Sequence, residues 1–203
     1  MRLANLDRAI DILETIVPIF GQHPSLNFLL AFGMYYGDRE FDDVIHYTRE
    51  AFAGVTERAK NIERASTSNS KPKEGFPKLQ EWAKPAEFHA KNLLAYMAAQ
   101  AGKYEIMAER FAEENYKNLD SMTYSNLWNN SDRVAFADTY GYVLMAIGAR
   151  KSPIDVTAIQ RAHRLLVEAR SAARRLSLKD RRVAEVTIES HLRQAEKLLA
   201  QVR

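Results

Sequence analysis

Apolar residues return every three or four positions along almost the whole chain. Leu6, Ile10, Leu13, Ile16 and Val17 form one such series, Phe28, Phe32 and Tyr35 a second, and Val44, Ile45, Tyr47, Ala51 and Phe52 a third. That spacing marks one face of a helix, whereas the alternation of a half-buried strand is essentially missing. Glycine and proline interrupt the series at Gly21 to Pro24, Gly37, Gly102 and Gly148 to Pro153. Each interruption ends one amphipathic run and opens the next, because glycine loosens the helical backbone and proline breaks its hydrogen bonding. The pattern predicts an all-α chain of about eight helices, near residues 4–20, 24–36, 39–59, 85–101, 104–118, 131–148, 155–176 and 179–202. Short connections make successive helices antiparallel.

Two segments stand apart. Residues 65–84 are rich in Ser, Lys, Pro and Gly in their first half, which cannot sustain a helix, and read as a flexible linker or insertion. Its tail carries Phe76, Leu79 and Trp82, with Trp82 read as a lid over the core in preference to an anchor for a partner. The last helix, 179–203, carries Val183, Val186, Ile188, Leu192, Ala195, Leu198 and Leu199 broadly on one side. It reads as a cap closing the array or as the seam of a homodimer.

Self-similarity decides the architecture in a chain of this kind. Three helix pairs share a first helix that ends in a small turn residue and a second that opens with an aromatic or aliphatic one, around Tyr35 to Phe41, Ala99 to Glu105 and Met145 to Ile159. The fullest pattern is Tyr140-Gly141, then Leu144, then Gly148, followed after an enlarged turn by Ile159, Ala162, Leu166 and Ala169. Lys103-Tyr104, Met107, Phe111 and Glu114 repeat it less completely, as do Ala9, Leu13 and Ile16, and Ala9 lies 35 positions before Val44.

These segments resemble degenerate tetratricopeptide (TPR) repeats, whose period is about 34 residues, over most of residues 1–176. A small residue where two helices cross lets their axes approach, and large neighbours fill the groove beside it. The resemblance implies a TPR-like right-handed superhelix of antiparallel hairpins, a single domain over 1–203. Its first helix would be the second helix of a repeat, so the chain starts in mid-repeat, as a piece of a larger protein would, or carries a lone capping helix. Departures from the family pattern are the large Phe32 in the first pair and insertions in two of the three units.

Charge changes the picture in one place. The 29 Lys and Arg against 26 Asp and Glu leave a net +3, too little to sheathe a nucleic acid over the whole molecule. Residues up to about 60 are mildly acidic, while Arg161, Arg164, Arg170, Arg174, Arg175, Lys179, Arg181 and Arg182 crowd one segment. That segment reads as the solvated face of an amphipathic helix, or as a site for nucleic acid or another polyanion. No cysteine occurs, which excludes disulfides and thiolate metal sites. The amino terminus alternates charged with apolar residues unlike a signal peptide, and no run approaches the roughly 18 apolar residues of a membrane span. The expected location is the cytoplasm.

Catalytic chemistry finds few candidates. His23, His46, His89, His163 and His191 are scattered singly, with no HExxH, and the eight glycines never cluster into a phosphate cradle. Asp42-Asp43 and Glu113-Glu114 are ordinary pairs unless burial separates their acidities. The expectation is therefore no enzyme, no metal and no cofactor.

In TPR arrays the first helices of successive pairs line a concave groove. The faces turned away from each helix's own partner offer Asn27, Met34 and Tyr35; His89, Asn92 and Tyr96; and Asp138, Tyr142 and Met145. Aromatic, amide and thioether groups of this kind suit a peptide or partner helix, although the same stripe at helical spacing also describes a core. The expected function is a protein–protein interaction module, scaffold or sensor domain that binds a peptide or helix. The alternative is a nucleic-acid-associated protein acting through residues 161–182.

Overall fold

In the computed structural model the structure describes residues 2–20, 23–36, 39–40, 42–51, 53–54, 57, 76–120 and 128–202. Among them the regular structure is all helical, with no strand. The helices are α1 (Arg2–Phe20), α2 (Pro24–Tyr36), α3 (42–51), α4 (Phe76–Ala101), α5 (Glu105–Asn118), α6 (Asn130–Arg150), α7 (Val156–Ala173) and α8 (Leu178–Gln201). The chain falls into two compact units, residues 1–93 and 94–203, where the sequence suggested one array.

α4 starts nine positions earlier than the spacing predicts, at Phe76 instead of near residue 85. Pro77 falls in the first turn, where a missing N–H costs nothing, and the helix continues through Pro85, where an X-Pro step had suggested a boundary. Residues 76–84, the second half of the expected linker or insertion, are helical, while 65–75 and the side chain of Trp82 lie outside what the structure describes.

In the first unit α1 packs on α2, with Ile10 set against Gly33, and Ile10, Val17, Leu30, Ala31 and Met34 are all buried. Ala9 is exposed, one position off the expected register.

The second unit is built around α6, which packs on α5, α7 and α8, with α7 also packing on α8. α6 is buried nearly all round, from Val134 to Gly148. Such a helix cannot rely on one apolar stripe, so its starting point is fixed by a capping box. The Asn129 side chain accepts from the Asp132 N–H at 3.0 Å, and the Asp132 carboxylate accepts from the Asn129 N–H at 3.0 Å. Trp128 donates its indole N–H to Asn118 O at 3.0 Å, and Arg133 donates to Leu119 O at 3.0 Å, so the start of α6 satisfies the carbonyls that end α5.

α7 opens at Asp155, whose carboxylate accepts from the Ala158 N–H at 3.0 Å, and α8 at Ser177, whose hydroxyl accepts from the Asp180 N–H at 3.3 Å. Gly102, at φ +66°, makes the left-handed turn after α4 that a side chain rarely adopts. Tyr104 adopts the same region at φ 55° to cap α5.

The α6–α7 crossing is a close approach. A Cβ on Gly141 would stand 2.8 Å from Leu166 Cγ and 3.2 Å from Ala162 O. Gly148 is similarly tight against Ala158 Cβ, at 3.1 Å, and Asp155 O, at 3.2 Å. Of the fullest repeat pattern, Tyr140, Ile159, Ala162, Leu166 and Ala169 are at 0% exposure and Leu144 is at 4%. On α5 the buried residues are Ala108, Ala112 and Asn115, one position on from the expected Met107, Phe111 and Glu114.

Candidate functional site

Burial sorts the nine predicted groove residues. Asn27, Met34, Asp138 and Met145 are core residues, at 1%, 3%, 9% and 2% exposure, and leave no surface for a visitor. Asn27 spends its amide on His23 O at 3.1 Å. These four positions correct the predicted groove: the side of a first helix that faces away from its own partner is covered by another helix. Tyr35, His89, Asn92, Tyr96 and Tyr142 are partly exposed.

Three of the nine converge. Asp138 and Tyr142 of α6 and Tyr96 of α4 meet His191 of α8, which sequence reasoning had set aside. His191 Nδ1 lies 2.9 Å from Asp138 Oδ1, and its Nε2 lies 3.4 Å from the Tyr96 hydroxyl. A carboxylate can only accept, so Nδ1 carries the proton and donates to Asp138, while Nε2 is left for Tyr96. The His191 ring also lies 4.5 Å from that of Tyr142, and Tyr96 and Tyr142 are 4.7 Å apart, centroid to centroid. Burial raises the Tyr142 hydroxyl pKa above the ordinary phenol value, with Arg150 opposing. His191 is 4% exposed, so this Asp–His–Tyr array is an internal polar brace, satisfied by its own members. One signal in the sequence pointed to it: His191 stands beside Ile188, Leu192 and Ala195 at the spacing of the buried face of α8.

A second network runs along α5, α6 and α7. The Tyr116 hydroxyl donates to Glu168 at 2.8 Å, and the Tyr140 hydroxyl donates to Glu113 at 3.2 Å. Burial and the facing carboxylates push Tyr116 up to about 12, and burial above all pushes Tyr140 up to about 12, with the Arg161 charge opposing. Glu113 is held below its ordinary value, chiefly by its hydrogen bond to Lys117.

The same network engages part of the Arg-rich segment. Arg161 sits 3.5 Å from Glu113 and 5.1 Å over the Tyr140 ring. Arg170 pairs with Glu189 at 3.3 Å and Arg181 with Glu185 at 2.8 Å. Arg164, Arg174, Arg175 and Arg182 are exposed, and among the described residues no carboxylate pairs with them. Of the seven arginines, three are thus ion-paired within the fold and four are exposed.

α8 shows a further correction. Val183 and Val186, assigned to the buried side with Ile188 and Leu192, are 70% and 74% exposed. They stand on the opposite face, in line with Lys179, Arg182, Arg193 and Lys197, all exposed.

These features define an all-helical protein whose second unit is assembled from closely crossing hairpins around a buried central helix. No family model matches the chain, and no curated protein or solved structure matches it. Among the described residues no helix is long and apolar enough to cross a membrane, and no group of three metal-binding side chains is assembled.

Proposed function

We propose that the chain is a protein-interaction module of the TPR-like kind, a scaffold or sensor part that holds a peptide or helix of another protein. The single observation that carries this reading is the α6–α7 crossing, where Gly141 admits Leu166 and Ala162 O to 2.8 and 3.2 Å of its would-be Cβ. Small residues at a helix crossing, large ones beside it and a turn glycine at Gly148 are the packing logic of that repeat family. Polar groups of the kinds used in chemistry are also turned inward on one another, as in Asp138, His191 and Tyr96. The outer helix faces are what remains for recognition.

The nucleic-acid alternative loses support because Arg161, Arg170 and Arg181 are each held by a glutamate of the fold. Cross-linking and co-purification with the full chain, followed by reconstitution from purified components, test the proposal. A stoichiometric protein partner is the expected result. A chain that assembles with no protein, or that co-purifies only with nucleic acid in a steeply salt-dependent way, overturns it.

A further inference from the structure

The outward face of α8 is a row of cations around two exposed valines. Lys179, Arg182, Val183, Val186, Arg193 and Lys197 recur at helical spacing opposite the buried Ile188, Leu192 and Ala195. All six are exposed, the valines at 70% and 74%. Two of the three glutamates of the same helix are ion-paired with arginines. Glu185 is bound by Arg181 at 2.8 Å, Glu189 by Arg170 at 3.3 Å, and Glu196 approaches His163 at 3.6 Å. Among the described residues none of the four outward cations has a carboxylate partner. Glu185 and Glu189 are thus neutralised by Arg181 and Arg170, while the four cations of the outward face have no such pairing among the described residues. An open depression of ≈ 810 Å³ follows this face, where Arg182, Val186, Ser190 and Arg193 stand beside the ion-paired Glu185 and Glu189.

We propose that this face docks an acidic amphipathic helix of a partner protein, its carboxylates meeting Lys179, Arg182, Arg193 and Lys197 and its apolar seam covering Val183 and Val186. The proposal rests on the reading of the chain as a protein-interaction module and names the partner of that module. Charge complementarity fixes the sign of the occupant. The two valines fix its class, because a phosphate backbone has no use for apolar side chains in the middle of its contact. A membrane surface is served by larger anchors, Trp, Phe or Leu, on a wide apolar face, and two short valines do not make one. From Lys179 to Lys197 the helix rises about 27 Å at 1.5 Å per residue, the length of a partner helix of about 20 residues.

Fluorescence anisotropy with the full chain tests this. The probe is a labelled helical peptide of about 20 residues carrying a leucine seam flanked by glutamates. The expected result is binding that weakens with salt, falls about tenfold or more in R182E/R193E, and falls likewise in V186D. R182K/R193K keeps most of the affinity, and circular dichroism shows all variants folded, since the changed residues are exposed. Peptide binding that is absent, or unchanged in R182E/R193E, overturns the proposal. So does a face that captures only phosphatidylserine vesicles or a short RNA duplex and ignores the peptide. If the peptide fails while a stoichiometric partner is still retained by R182E/R193E, the module reading stands and this face is removed from it. If no partner is found either, both fall.

Discussion

His191 Nδ1 lies 2.9 Å from Asp138 Oδ1, fastening α8 to the central helix α6 from inside the second unit. With exposures of 4% and 9%, neither group can turn to water when the other is removed. His191→Ala therefore strands a carboxylate in the interior and is expected to cost about 3 kcal/mol, because breaking a buried pair from one side leaves the remaining charge uncompensated. Urea denaturation of both single variants and of D138A/H191A measures it. The double variant is expected to lose clearly less than the sum of the singles. Additive losses would show that the two side chains are not coupled.

Gly141→Ala should destabilise the chain by about 2 kcal/mol, since the new methyl would meet Leu166 Cγ at 2.8 Å and Ala162 O at 3.2 Å. Alanine is the better helix former by about 1 kcal/mol, so an open site would show the opposite sign. G141A/L166A separates the two contacts. Shortening Leu166 relieves the side-chain clash but not the one with the Ala162 carbonyl. Equilibrium unfolding that finds G141A more stable than the parent would remove the close crossing.

Alkaline pH is expected to weaken the fold through two phenols. Tyr116 and Tyr140 stand at about 12 in the folded chain against an ordinary 10.0. Between those values the unfolded chain has released protons that the native chain still holds, so stability falls as pH rises. The contribution is whole below pH 10 and is lost towards pH 12. A thermal-melt series over this range, with the tyrosinate absorbance followed alongside, reads the effect. Y116F should flatten the slope, although the solvent-facing side of Tyr116 keeps its share smaller than that of Tyr140.

Arg150, on the last turn of α6, donates to Ala99 O and packs its guanidinium against Gly102, where a Cβ would lie 3.2 Å from Arg150 Cζ. Gly102→Ala places a side chain at φ +66° and against that guanidinium at once, and is expected to lose about 1 to 2 kcal/mol. Arg150→Ala releases the contact and uncovers the carbonyl, so hydrogen exchange should rise locally at the end of α4 while the rest of the second unit keeps its protection.

The all-helical class and most helix limits were legible in the chain because apolar spacing and glycine or proline punctuation act locally. α2 runs over Pro24–Tyr36, matching the expected 24–36, and α5 ends at Asn118 as expected. Tyr140, Gly141, Ile159, Ala162 and Leu166 marked a close crossing in the sequence, and a Cβ on Gly141 would indeed meet Leu166 and Ala162 O, since a small residue opposite large ones permits the approach. The expected groove fared less well. Met34 and Met145 have the composition of a binding surface and the burial of a core, and spacing alone cannot tell one from the other when a helix is covered on several sides.

What the sequence determined by itself was whatever depends on neighbours a few residues apart: helices, caps such as Asn129 with Asp132, and turns such as that at Gly102. Tertiary structure alone decided which face of α8 is buried, bringing His191 to Asp138 across 53 positions and leaving Val183 and Val186 in solvent. The physical reason is that both faces of α8 carry apolar residues at helical spacing. Only the partner surfaces offered by α6 and α7 make one of them the cheaper to hide.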